Sequence, residues 1–204
     1  MRISYAIPVC TEHVELKELL TFLTLHIEEE DEIVVQCDQG NTTHEVHRVL
    51  GNFPTVKIIE FPLKGNFASF KNNLKEHCTK EWIFQIDADE LPHESLITNL
   101  KSLLKLNPTT ELFLVPRINT VKGLTQEHIN KWQWNVNESG WVNWPDYQTR
   151  IIQNSPKIAW ASKVHEVITG MSTKALLPME EEWSLYHHKH IDKQEHQNKF
   201  YNTL

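Results

Sequence analysis

Four short apolar runs, at residues 3–9, 32–37, 56–61 and 82–86, alternate with three segments whose apolar side chains recur at helical spacing. The first segment carries Leu16, Leu19, Leu20 and Leu23, the second Val46, Val49 and Leu50, and the third spans 67–78. Short β-favouring runs alternating with helical patterns predict an α/β fold, a parallel sheet with helices on its faces. Ligands of such sheets bind beyond the carboxyl ends of the strands. Three of those ends are polar: Thr11-Glu12 after the first run, Asp38 after the second and Asp87-Ala88-Asp89 after the fourth. The topology therefore gathers polar groups from distant positions along one edge.

The fourth end is the most specific. If the strand continues through it, Asp87 and Asp89, two residues apart, point to the same side and aim both carboxylates at one place. Hard divalent cations such as Mn²⁺ or Mg²⁺ take oxygen ligands, commonly one or two carboxylates plus substrate phosphates. The chain has 21 glutamates but only 6 aspartates, so random placement would yield roughly 0.2 Asp-X-Asp pairs, and the motif stands above chance. Glu90 points away from Asp89 and reads as structural.

Composition narrows the rest. A chain of 204 residues with 40% hydrophobic and 23% charged content is long enough for a real core. No run nears the roughly 18 apolar residues a membrane span requires, and residues 1–8 read as a first strand broken by Pro8, so the expected location is cytoplasmic. Cys10, Cys37 and Cys78 match no zinc or redox spacing and read as reduced thiols. A net charge of −7 argues against a broad nucleic-acid footprint.

Beyond Glu90 the pattern predicts a helix over 92–106 and strands over 112–117, 147–152 and 157–161. Five of the seven tryptophans, Trp132, Trp134, Trp141, Trp144 and Trp160, fall in one polar stretch. They either close a core or line an acceptor cleft. Tyr186-His187-His188-Lys189-His190 follows, and alternation after Trp183 and Leu185 turns His187 toward the apolar face. A short polar helix is expected over 194–201. There is no internal repeat or linker, so one continuous domain over 1–204 is expected.

Several stretches together resemble the family-2 glycosyltransferases with a GT-A, Rossmann-like fold, and among them the subgroup that includes lipopolysaccharide-core sugar transferases. They are residues 3–12 with Ile7-Pro8, residues 32–43 centred on Asp38-Gln39-Gly40-Asn41-Thr42, residues 65–74 reading GNFASFKNNL, and residues 84–90 reading FQIDADE. Downstream lie Pro145-Asp146-Tyr147-Gln148-Thr149-Arg150-Ile151, Trp160 with Val164-His165-Glu166 and Gly170, and Leu185-Tyr186-His187-His188.

The resemblance implies a mostly parallel sheet flanked by helices, with residues 1–106 binding a nucleotide-sugar donor and the Trp-rich 107–204 facing the acceptor. It implies a metal-dependent, inverting transfer of sugar from a nucleotide-diphosphate donor, UDP-sugar first, to a hydroxyl of a saccharide or other acceptor. Base and ribose would lie against Pro8, Thr11, Glu12 and Asp38, with Asp87 near the ribose and Asp89 on Mn²⁺ or Mg²⁺. Lys71 and Asn72 match the pair that opens the family's donor-side helix, and Lys71 could help hold diphosphate. Arg150, on one strand face with Gln148, is a phosphate or acceptor contact, and His187 a further metal ligand. One carboxylate takes the acceptor's proton: Glu166, in its Val-His-Glu element, or Asp146, expected in a turn.

Each role has a plainer rival. Asp38 could only cap its turn, Lys71 be a solvated helix lysine, Arg150 a structural ion pair, and the histidines a surface strand. The family turn usually carries a second acidic residue after Asp38, where this chain has Gln39, Thr42 and Thr43. A nucleotidyltransferase would show a Gly-rich loop after the first strand, and Cys10-Thr11-Glu12-His13 contains no glycine. Further alternatives are a non-catalytic nucleotide- or sugar-binding module of the same fold and a transferase acting on modified nucleic-acid bases, which the acidic charge disfavours.

Overall fold

The computed structural model describes residues 1–195. Strands β1 (Ile3–Val9), β2 (Glu32–Asp38), β3 (Lys57–Phe61) and β4 (Trp82–Gln85) are joined by helices α1 (His13–His26), α2 (His44–Leu50) and α3 (Phe67–Glu76). They lie in the order β3-β2-β1-β4 and every neighbouring pair is parallel. Strand alternation sorts the core. Ile3, Tyr5, Ile7 and Val9 pack with Leu16, Leu19, Leu20 and Leu23 of α1, whereas Ala6 and Val34 pack on the other face with Ala68 and Leu74 of α3. Burying each such leucine contributes about 1.5–3 kcal/mol.

The remaining elements are β5 (Leu91–Pro92), α4 (Glu94–Leu106), β6 (Leu112–Lys122), α5 (Gln126–Trp132), β7 (Val142–Gln153), β8 (Ala159–Ala161), β9 (Val167–Thr169), β10 (Lys174–Leu176), a 3₁₀ turn (Glu181–Trp183) and β11 (Leu185–His190). The sheet continues β4-β7-β6-β11-β5, with β10 also on β6. β7 is antiparallel to both β4 and β6, while β10 and β11 run parallel to β6. The result is a mixed, mostly parallel sheet between helical layers, as expected. β8 and β9 form a separate hairpin against α3. No helix among the described residues is long and apolar enough to cross a membrane.

Boundaries differ where hydropathy loses the pattern. β6 runs on to Lys122 and β7 begins at Val142, because these added lengths are held by ladder bonds although many of their side chains are polar and half-buried. α4 starts at Glu94, since Leu91 and Pro92 pair with Tyr186 and Leu185 and the His93 ring accepts from the Ser95 N–H at 3.1 Å. Residues 191–195 are helical, and the rest of the helix expected over 194–201 lies outside the described residues. All three cysteines are free, and burial pushes the Cys37 thiol up to about 11 and the Cys78 thiol up to about 12.

The β8–β9 hairpin depends on Gly170. It has φ +83°, and a Cβ there would lie 1.7 Å from the Lys157 carbonyl oxygen. Gly170→Ala should therefore cost about 2–4 kcal/mol in urea unfolding, from the left-handed backbone and the clash together. Unchanged stability would show that the hairpin can move away from Lys157 without loss.

Candidate active site

A cavity of about 660 Å³ opens beyond the carboxyl ends of β1, β2 and β4. Pro8, Glu12, Asp38, Lys71, Asp87, Asp89, Arg150, Glu166 and His187 of the expected site line it. Pro8 is tolerated inside a strand because the last β1–β4 pair is Ala6 opposite Gln85, so its missing N–H leaves no bond of that ladder unmade. Thr11 does not line the cavity.

Two of the lining carboxylates also organise their own turns. Glu12 Oε2 accepts from the Cys10 and Thr11 N–H groups at 3.0 and 2.8 Å. Asp38 Oδ1 accepts from the Leu63 N–H at 2.9 Å and its Oδ2 from Asn41 Nδ2 at 3.0 Å. An ionised carboxylate has about four acceptor sites, so Asp38 retains capacity toward a ligand.

Asp87 and Asp89 reach the cavity from a turn and not from a strand. β4 ends at Gln85, and the Glu90 N–H donates to the Asp87 carbonyl at 2.9 Å. The two carboxylates consequently have different partners. Asp87 Oδ2 accepts from Arg150 Nη2 at 2.5 Å. Asp89 Oδ2 lies 3.4 Å from His187 Nε2 and 3.1 Å from Lys193 Nζ. Burial would raise the Asp89 carboxyl, but His187 and Lys193 outweigh it and hold Asp89 far below the usual carboxylate range.

Beneath the cavity floor lies a network of charged side chains. Glu90, fully buried, accepts from Arg150 Nε and Nη2 at 2.9 and 2.7 Å and from Arg117 Nη1 at 3.0 Å. The β6–β7 register sets Arg117 opposite Asp146. Asp146 Oδ2 accepts from Arg117 Nε and Nη2 at 2.9 and 2.6 Å and from Asn119 Nδ2 at 2.9 Å, and its Oδ1 accepts from Gln148 Nε2 at 2.7 Å. Burial opposes ionisation of Asp146, yet these donors keep its carboxyl below the usual range.

This network and its surroundings show where three of the expected residues stand, and they correct the turn placement of Asp146. Asp146 is a β7 residue outside the cavity lining, not a turn residue, and both its oxygens are engaged, so it is poorly suited to take a proton. Arg150 spends its guanidinium on Glu90 and Asp87, which is the structural ion pair, although one edge still lines the cavity. Asn72 clasps the Trp160 backbone, donating to its carbonyl at 2.9 Å and accepting from its N–H at 2.8 Å. It lines a second cavity of about 520 Å³ and not the first.

That clasp matters for position. It fastens β8 to α3, and the Phe67 N–H donates to the Lys163 carbonyl at 2.9 Å, so the loop carrying Glu166 is pinned at both ends of the helix's first turns. Lys71 Nζ pairs with the Glu166 carboxylate and lies 4.3 Å from the centroid of the Trp160 ring. Both charged groups face the cavity.

β11 alternates as expected. Leu185 and His187 are buried, and Lys189, on the same side, lines the cavity. His188 instead contacts Thr120 Oγ1 at 2.5 Å, and His190 pairs with Asp192 at 3.1 Å. His187 alone of the three enters the site. Its Nδ1 is 2.8 Å from Asn119 Oδ1. Arg117, Asn119, Lys189 and Lys193 were absent from the sequence expectation. Lys189 could have been found from its two-residue spacing to His187, but the other three depend on cross-strand register or on a later turn of chain.

Among the described residues no group of three or more His, Cys, Asp or Glu is arranged to hold a metal ion. The carboxylate and imidazole of Asp89 and His187 do converge on the cavity, and a protein pair completed by phosphate and water suits Mn²⁺ or Mg²⁺. Two ring pairs, Trp132 with Trp134 and Trp141 with Trp144, have centroids 4.7 and 4.9 Å apart and lie outside the cavity lining.

The model of glycosyl transferase family 2 matches residues 4–168. Among solved structures, S. aureus TarS is similar at 12% identity with a TM-score of 0.64, over 92% of this chain and 37% of that one. TarS 1–349 matches at 12% identity and TM-score 0.62, and its complex with UDP at 13% and 0.60, each over 92% of this chain and 60% of the other. The chain thus spans between 37% and 60% of the length of these structures, and at such identities the likeness is one of fold. None of the curated proteins matches the sequence.

Proposed function

Because the chain belongs to glycosyl transferase family 2, we propose that it moves a sugar from a nucleotide-diphosphate donor to an acceptor hydroxyl, with UDP-sugar as the favoured donor and with inversion at the anomeric carbon. What supports this most is one observation: Asp38, Asp89, His187 and Glu166 line a single cavity at the carboxyl ends of the parallel strands. The base and ribose lie against Pro8 and Asp38, whose carboxylate accepts from an imide N–H or a ribose hydroxyl. Asp87 borders the ribose side, its orientation fixed by Arg150.

Cleavage of the donor's bond at the anomeric carbon leaves a nucleoside diphosphate with growing negative charge. A Mn²⁺ or Mg²⁺ held by Asp89 and His187 supplies, when bound, Lewis-acid charge that offsets it. Lys189 adds positive charge on the same wall, and Lys193 adds it beside Asp89. Glu166 takes the proton from the acceptor hydroxyl as that oxygen bonds to the anomeric carbon and the electron pair of the broken bond leaves with the diphosphate. Lys71 orients the Glu166 carboxylate. The resemblance to lipopolysaccharide-core transferases favours a saccharide hydroxyl as acceptor.

The test is a thermal-shift panel of UDP-, GDP-, CDP- and TDP-sugars with and without Mn²⁺, followed by donor hydrolysis. A UDP-sugar with Mn²⁺ should stabilise the protein by about 2.7 kcal/mol at a hundredfold excess over its dissociation constant. No shift with any nucleotide would sink the proposal, and binding without hydrolysis or transfer would favour a non-catalytic module.

A further inference from the structure

Behind the wall of the cavity, a chain of hydrogen bonds ends at His187 and decides which of its nitrogens is open. It begins at Asp146, a carboxylate held by Arg117 Nε and Nη2 at 2.9 and 2.6 Å and by Gln148 Nε2 at 2.7 Å. An ionised carboxylate only accepts, so the Asn119 atom 2.9 Å from Asp146 Oδ2 must be the amide NH₂. The amide oxygen of Asn119 then faces the other way, 2.8 Å from His187 Nδ1. A carbonyl oxygen also only accepts, and therefore Nδ1 carries the proton. The polarity of every link follows from the one before, and the first is set by a charge.

The consequence appears at the far side of the ring. His187 is only 5% exposed and its Nδ1 is taken up by Asn119, so what the ring has left for the cavity is Nε2. With Nδ1 committed to donating, a neutral ring can only accept at Nε2, 3.4 Å from Asp89 Oδ2, and His187 favours the ionised Asp89 only when positive charge, a proton or a metal ion, sits at Nε2. Two acceptors at that distance repel unless positive charge is shared between them. The same corner already attracts a cation, because Lys193 Nζ lies 3.1 Å from Asp89 Oδ2.

We infer that Asn119, oriented by Asp146, is a positioning residue that keeps the His187 proton on Nδ1 and so reserves Nε2 to join Asp89 on a divalent cation. The inference rests on the reading of Asp89 and His187 as the metal-holding pair. It gives Asp146 a duty in place of the general base: it is the charged origin of the relay. Partners of this outer kind fix the tautomer and direction of a ligating histidine, and their loss typically weakens metal binding 10–100-fold.

Two measurements test it, neither of them turnover. Long-range ¹H–¹⁵N NMR of the metal-free wild type at mildly alkaline pH should find the neutral His187 ring protonated on Nδ1, the resonance being assigned by its absence in His187→Ala. In Asn119→Leu, which keeps the side-chain size but removes the acceptor, the proton should move to Nε2, facing Asp89. Mn²⁺ titrations followed by electron paramagnetic resonance should then give a dissociation constant raised about 10–100-fold in Asn119→Leu. A wild-type ring protonated on Nε2 overturns the inference without recourse to any variant. So does Mn²⁺ affinity of Asn119→Leu within about twofold of wild type while His187→Ala loses binding, a result that leaves the metal pair intact. Unchanged Mn²⁺ affinity in His187→Ala removes the pair itself, and the relay with it.

Discussion

Glu166→Gln should lower sugar transfer by about 10²–10⁴-fold while leaving UDP binding intact, the loss expected when a general base can no longer take a proton. Glutamine keeps the shape of the side chain, and its amide oxygen can still accept from Lys71, so the hairpin loop stays fastened to α3. The side of the cavity proposed for the nucleotide, at Pro8 and Asp38, belongs to other elements. Calorimetry with UDP and Mn²⁺ should therefore match the wild type while steady-state turnover collapses. Near-normal turnover would take the role from Glu166, and it would not pass easily to Asp146, whose two oxygens are already bonded by Arg117, Asn119 and Gln148.

Glu90→Gln should destabilise the fold by about 3–5 kcal/mol, the cost of breaking a buried charge pair from one side. Glu90 is fully buried and takes three hydrogen bonds from two guanidinium groups. A glutamine has one oxygen in place of two, and its NH₂ would face an arginine N–H, donor against donor. Asp87 and Asp146 remain, but each already serves one arginine. For a chain of 204 residues the expected fall in melting temperature is on the order of 10 °C. A midpoint within about 2 °C of wild type would mean that water reaches the arginines and that the network contributes little.

Much of this fold can be read from residue order. β1 to β4 and α1 to α3 announce themselves because their buried side chains follow the period of the element, as Leu16, Leu19, Leu20 and Leu23 do along α1. The Asp87-Ala88-Asp89 motif stands out through the scarcity of aspartate, and His187 through alternation with Leu185. The contacts that escaped the sequence share a cause. Asp146 and Arg150 look like free functional groups in one strand, but their fate depends on Arg117 and Glu90, 29 and 60 residues away. Cross-strand register sets these distances, and no local pattern encodes it. The clasp of Asn72 is hidden for the same reason: its partner, the Trp160 backbone, is 88 residues distant.

By itself, the sequence determined an α/β chain with carboxylates collected at the ends of parallel strands, because burial period and turn chemistry are local properties. Only the tertiary structure decided which carboxylates are spent and which face the cavity. Glu90 and Asp146 hold arginines and an amide, whereas Asp89 and Glu166 line the cavity and meet His187, Lys193 and Lys71. A carboxylate's chemistry is set by the donors within a few ångströms of it, and in this protein those donors come from other strands, other turns and the far end of the chain.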